Sequence, residues 1–172
     1  MSVVHGDDRA VVLVRADEAE RLGTDTSATR LLIDSEGSGG ALSANRAILG
    51  PGADGPPPHY HTGSAEIFFV LDGELQALAG DGVIELAPGD FLAVPKSMPH
   101  AFGARPGSRA DVLIAFVPAM TERFEYFRLV DRVLKGQADP QEILDNQERF
   151  DNHFLDIPLW QDTRRAQRET GV

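Results

Sequence analysis

The residues with the clearest chemical potential in this sequence are three histidines and one glutamate. His59, Tyr60 and His61 are consecutive, Glu66 follows after four residues, and His100 stands in a segment framed by Pro95 and Pro99. On an extended strand, residues two apart share a face, so His59 and His61 project together with Tyr60 on the other side. Glu66 opens the next apolar run, after a turn over 62–65, and its parity puts Phe68 and Val70 beside it. A carboxylate would then join imidazoles inside an apolar wall, a composition suited to holding a cation or moving a proton. Taken alone, a His-x-His pair is equally compatible with an exposed sheet edge, where the rings are solvated and Glu66 is a strand end. Pro56-Pro57-Pro58 before the pair and the prolines around His100 stiffen both segments and favour a fixed constellation.

The surrounding sequence must supply strands to position these groups. From Val11 to Val117 it alternates short apolar, β-branched runs with clusters of Gly, Pro, Asp and Ser, the pattern of an all-β sandwich or barrel. Strands are expected over 11–15, 29–34, 41–49, 58–61, 66–71, 74–79, 83–86, 91–94, 100–104 and 110–117. Asp72-Gly73, between two apolar runs, reads as a type I′ hairpin turn, and Gly80-Asp81-Gly82 and Pro88-Gly89-Asp90 as further tight turns. After Pro118 the period changes: Met120, Phe124, Phe127, Val130 and Leu134 recur at helical spacing up to Lys135-Gly136. Asp139-Pro140 with Glu142 starts a second short helix that should run to about residue 150. The segment 154–160 is too apolar to be free and should dock on the barrel, whereas 161–172 reads as a frayed polar terminus. The expected organisation is one domain, 1–172, with a barrel core over about 11–117, a helical extension over about 119–160 and a tail.

Composition narrows the function. The chain has 172 residues, 42% of them hydrophobic, which suits a single core. A formal net charge of -11 repels phosphate backbones and anionic headgroups, so neither nucleic acid nor membrane is an expected partner. With no cysteine, disulfides, thiolate nucleophiles and iron–sulfur clusters are excluded, and any metal must be held by imidazole and carboxylate. Asp7 and Asp8 stand where a secretory leader would carry basic residues, and the apolar run 11–14 is far short of the ~20 residues a bilayer demands. A cytoplasmic protein is expected.

The pattern resembles the cupin superfamily. Its first motif is matched by His59-Tyr60-His61, four residues, Glu66, six residues and Gly73, with Ala53 in the slot of the leading glycine. Its second is matched by Gly89, five residues, Pro95, Lys96, Ser97, two residues and His100, with Ser97 in place of the internal glycine and Ala104 in place of the terminal asparagine. The resemblance covers about 41–117. It implies a double-stranded β-helix, a jelly-roll barrel, holding one divalent transition metal (Fe, Ni, Mn, Zn, Co or Cu) through His59, His61, Glu66 and His100. Four protein ligands leave up to two positions of an octahedron open to water or substrate.

If those four point inward, Phe68, Val70, Phe102 and Ala104 do too, giving an apolar chamber for an aromatic or hydrophobic small molecule. The strand over 41–49 offers either Asn45 or Arg46 as a polar contact. Glu66 is the expected proton acceptor, since no second acid–base group is identifiable there. His153 is expected to be a surface or capping residue, and the aromatics Phe124, Tyr126 and Phe127 to pack on the barrel or lid the cavity mouth. The leading function is a dioxygenase acting on an aromatic or enolic, flavonol-like compound, the chemistry of small cupins similar to quercetin 2,3-dioxygenase. A non-redox cyclase or isomerase of polyketide type and a non-catalytic ligand-binding cupin stand beside it. Cupins commonly pair through sheet edges, so a homodimer is expected.

Overall fold

The most regular alternation in the sequence becomes the spine of the fold. The structure, a computed structural model, describes residues 2–3 and 11–170, so the acidic start at Asp7 and Asp8 and the last two residues lie outside the described residues. Strand β12 (Ala110–Val117) buries Ala110, Val112, Ile114 and Phe116 on one face. It pairs antiparallel with β5 (Ser43–Leu49) on one side and β7 (Ala65–Gly73) on the other. Outward from these, β10 (Phe91–Val94) pairs with β7, while β4 (Ser27–Ile33) and then β3 (Arg21–Gly23) follow β5. A second sheet carries β13 (His153–Phe154), β6 (His59–Tyr60), β11 (His100–Ala104), β8 (Leu75–Ala79) and β9 (Gly82–Leu86) in that order. β1 (Ser2–Val3) and β2 (Val12–Leu13) form a separate ribbon. The inner faces of the two large sheets meet in one core, with Phe68, Val112, Ile114 and Phe116 from the first and Leu75, Ala77, Phe102 and Ala104 from the second. This is the jelly-roll barrel that the strand pattern implied, with a helical extension at its C-terminal side.

Asp72-Gly73 is not a hairpin turn. β7 runs through Gly73 in the six-stranded sheet, and β8, starting at Leu75, belongs to the other sheet and pairs with β9 and β11. Gly73 sits at the corner where the chain changes sheets, with φ +74, and a Cβ there would lie 1.9 Å from the Arg109 carbonyl oxygen. Hairpin and corner both require a residue free to take positive φ at close approach, so the local signal is the same. The turn at Gly80-Asp81 does join paired neighbours, with Ala79 opposite Gly82.

The C-terminal third is more ordered than its composition suggests. Helix α1 (Arg123–Leu134) ends at Lys135 as expected. The second helix is two pieces, α2 (Pro140–Asp145) and α3 (Gln147–Phe150), interrupted at Asn146, and its start carries the Asp139–Glu142 capping box. The supposed tail is helix α4 (Pro158–Thr170). Trp160 packs on Leu78 and Ala101, so β8 and β11 are covered on both faces. One turn further, Arg164 is buried and donates to Asp54 Oδ1 at 2.7 Å, the Ala104 carbonyl at 2.9 Å, Gln76 Oε1 at 3.1 Å and the Gly52 carbonyl at 3.0 Å. A sequence of polar type reads as solvated, but here the charge is neutralised by Asp54 and the helix is anchored.

Candidate metal centre

Each of the three histidines is held by its Nδ1 atom. His59 Nδ1 lies 2.8 Å from the Pro57 carbonyl, His100 Nδ1 2.9 Å from the Met98 carbonyl, and His61 Nδ1 against the carbonyl of Asp151. Carbonyl oxygens only accept, so each Nδ1 carries the proton and each neutral ring presents an Nε2 lone pair. All three Nε2 atoms converge on Glu66 Oε2, at 2.6 Å from His100, 3.0 Å from His61 and 4.0 Å from His59. The ligand atoms of the four residues lie within 4.8 Å of one another, and all four residues are buried. Lone pairs facing a carboxylate at such distances repel unless a positive charge sits among them. Among the described residues His59 Nε2 has no hydrogen-bond partner.

Without a metal, protons must supply that charge. Burial disfavours an ionised Glu66, but the His100 charge and the hydrogen bonds from His100 and His61 outweigh it and hold the carboxyl well below its ordinary range. Burial likewise works against a charged His100, yet the adjacent Glu66 carboxylate raises it above the usual imidazole value. His59 goes the other way, pushed well below by burial and by the charge of His100. A divalent cation bonded to these donors at about 2.0–2.2 Å would replace the shared proton and satisfy the orphaned His59 nitrogen. The donor set fits such an ion, and His59, His61, Glu66 and His100 together could bind one.

Beside this cluster is a cavity of about 790 Å³ with mostly apolar walls. Glu66 forms part of its lining, together with Asn45, Phe102, Ile114 and Phe116 from the barrel. Its opposite wall comes from the helical extension, with Arg123, Tyr126, Phe127 and Val130 of α1 and Ile143 and Leu144 of α2. The volume falls in the range of about 300–1,000 Å³ typical of small-molecule sites.

Residues 45–116 match the family described as the cupin domain. The matched segment covers 72 of the 172 residues and contains all four candidate ligands. Quercetin 2,3-dioxygenase of Bacillus subtilis (strain 168) is 28% identical over 137 residues, which are 79% of this chain and 39% of the relative. The chain thus spans about two fifths of that enzyme's length. Among solved structures, KdgF from Halomonas sp. superposes with a TM-score of 0.51 at 23% identity, over 60% of this chain and 92% of KdgF. Streptomyces Pac13, described as a nucleoside dehydratase and solved with uridine, gives 0.52 at 13% identity, over 66% and 86%. Bacillus subtilis oxalate decarboxylase, described as having Mn(II) centres, gives 0.53 at 19% identity, over 60% of this chain and 28% of that one. These likenesses are of fold.

The sequence-predicted pocket divides. Phe102 and Asn45 line the cavity, but Phe68, Val70 and Ala104, though on the inward faces, are packed into the core and do not reach it. Arg46 points outward and forms a bidentate ion pair with Asp111 across the β5–β12 ladder. The strand parity that buries Asn45 puts its neighbour outside. His153 is not among the converging donors; its ring stacks on Tyr60 at 4.9 Å. Ser97, in the motif's glycine slot, takes φ 60, and its N–H donates to the His61 carbonyl at 2.7 Å. Sequence reasoning missed Arg123, since a cation on an otherwise apolar helix face gives no signal as a cavity residue.

Proposed function

We propose that this chain is a cupin-type, metal-dependent dioxygenase acting on an aromatic or enolic small molecule. The observation that carries this is the double position of Glu66, which belongs to the four-donor cluster and also lines the apolar cavity. A group bound in the chamber can therefore reach the cluster directly. The similarity to a quercetin 2,3-dioxygenase supports the same direction. A redox-active divalent ion held by the four donors would acidify an enol or phenol hydroxyl and prepare it for reaction with dioxygen. Glu66, which belongs to the cluster and lines the chamber, is the carboxylate placed to accept that proton. Phe102, Ile114, Phe116 and Phe127 exclude water from the reacting carbon framework. Asn45 Oδ1, buried and without a partner, is placed to accept from a substrate hydroxyl.

The test is oxygen uptake by protein loaded separately with Fe(II), Ni(II) or Mn(II), challenged with a flavonol panel. Stoichiometric oxygen consumption with ring-opened product supports the proposal. Conversion of an enolic substrate without oxygen uptake would replace it with a non-redox cyclase or isomerase.

A further inference from the structure

Arg123 is the unusual group in the chamber. It is the first residue of α1, outside the matched cupin segment, and only 5% of its surface is exposed. Its guanidinium lies 4.3 Å from the Phe116 ring centroid, 4.6 Å from that of Tyr126 and 4.8 Å from that of Phe127. Nη1 donates to a neutral amide, Asn152 Oδ1, at 3.2 Å, and Nε is buried with no hydrogen-bond partner among the described residues. Among the described residues no carboxylate oxygen lies within 4 Å of it. The other buried arginine, Arg164, has Asp54 at 2.7 Å.

Removing a cation from water without a counter-charge costs several kcal/mol, and proteins ordinarily offset this with an anion. Stacking on three aromatic rings returns part of it, but apart from the Nη1 bond to Asn152 it leaves the in-plane donors, Nε among them, without an acceptor among the described residues. The acids elsewhere on the cavity wall are already paired: Asp131 with Lys135 at 2.7 Å and Asp54 with Arg164 and Arg168. Arg123 is thus the cation of the chamber that has no direct ion pair among the described residues, the carboxylates of Glu66 and Asp151 acting on it only from beyond contact. Its place relative to the donor cluster is also set, because the Phe116 ring beneath it is 5.5 Å from the His61 ring.

We propose that the chamber takes an aromatic or apolar carboxylate, with the ligand's carboxylate paired to Arg123 and its apolar body against Phe116, Phe127 and Ile114. This rests on the chamber being the substrate site, and narrows the substrate to an anionic one. A planar guanidinium suits a carboxylate bidentately, whereas a neutral ligand of the same shape leaves the cation unpaired. Specificity then comes from the helical extension, while the barrel supplies the reactive centre.

The experiment compares 2-naphthoate with 2-naphthamide, probes of nearly equal shape and different charge, by calorimetric titration into Zn(II)-loaded protein, which is redox-silent. Naphthoate should bind at least tenfold more tightly to the wild type, and the gap should narrow at high salt. Arg123→Met, which keeps the length and loses the charge, should abolish the discrimination by weakening naphthoate and leaving naphthamide within about twofold. Arg123→Lys should restore part of it. Equal binding of the two probes to the wild type, or no binding of naphthoate, overturns the proposal without reference to any variant's stability. Discrimination that survives in Arg123→Met also overturns it, since the carboxylate would then be sitting on the metal. Because binding is read rather than turnover, a protein that discriminates but consumes no oxygen would contradict the dioxygenase reaction and leave the anion site standing.

Discussion

Asp151 connects the helical extension to the metal centre, and its loss should be felt at the metal. Its backbone carbonyl orients His61 through Nδ1, and its carboxylate accepts from Thr62 N, Thr62 Oγ1 and Gly63 N, each at 2.7 Å. The side chain thereby ties the segment after His61 to the end of α3. Asp151 also sits at φ 45, ψ 50, a left-handed conformation that Asp and Asn tolerate and most other residues occupy at a cost of about 1–2 kcal/mol. Asp151→Gly removes the carboxylate and spares the backbone that cost. Hydrogen bonds to a charged group contribute about 1.5–3 kcal/mol each. With the side chain 22% exposed, water replaces part of that, and we expect a loss of about 2–3 kcal/mol, a fall in Tm of roughly 4–12 °C for a chain of this size. Residues that orient a metal-bound histidine typically account for about 10–100-fold in metal affinity, and Asp151→Gly should weaken Zn(II) binding by that factor. Asp151→Asn keeps an oxygen for Thr62 and loses the acceptor for Gly63, so its effect should be smaller than tenfold. The assay is competition against a calibrated chelator, with Tm read in parallel. If Asp151→Gly lowers Tm while its Zn(II) affinity stays within twofold of the wild type, the carboxylate does not position His61 and the coupling is refuted.

Two further outcomes follow from buried charges away from the cluster. Arg164→Met should destabilise by about 2–4 kcal/mol, because it leaves Gln76 and two backbone carbonyls without their donor while Asp54 keeps Arg168, and thermal unfolding should show a Tm lower by roughly 4–16 °C. A Tm within 2 °C of wild type would mean that α4 is not anchored there. Asp131 accepts from Gly23 N at 2.8 Å and from Lys135 Nζ at 2.7 Å; burial opposes its ionisation, but these partners outweigh it and depress its carboxyl. A folded value below the unfolded one, about 3.9, means the stabilisation is complete above the unfolded value and is lost as pH falls through the folded one. Asp131→Asn should therefore lower Tm near neutral pH, and the difference from wild type should close as pH falls through the depressed folded value. A difference independent of pH would show that ionisation of Asp131 contributes nothing.

The part of the site built on strand parity was legible in the sequence. His59 and His61 share a face because the strand period is two, and the same parity puts Glu66 on the inward side of β7. Parity says which face a residue takes, not how deep it lies, and Phe68, Val70 and Ala104 face inward in the core rather than on the cavity wall. What the sequence did not reveal depends on contacts between distant segments. Arg123, Tyr126, Phe127 and Val130 form one helical face at i, i+3, i+4 and i+7, but a stripe sought among apolar residues passes over its arginine. The polar segment after residue 160 gave no sign that Arg164 would be neutralised by Asp54, which is 110 positions away. Gly73 carried a true signal of positive φ, and only the pairing of β8 with β9 and β11 distinguishes corner from hairpin.

If His59, His61, Glu66 and His100 together hold one divalent ion facing the chamber, metal content must depend on them. Elemental analysis of wild-type protein and His61→Ala, each incubated with Zn(II), Fe(II) or Mn(II) and freed of excess, tests it most directly. The expected result is close to one equivalent per chain in the wild type and less than about a tenth of that in a folded His61→Ala. Metal content that is negligible in both proteins, or undiminished in the variant, would contradict the assignment.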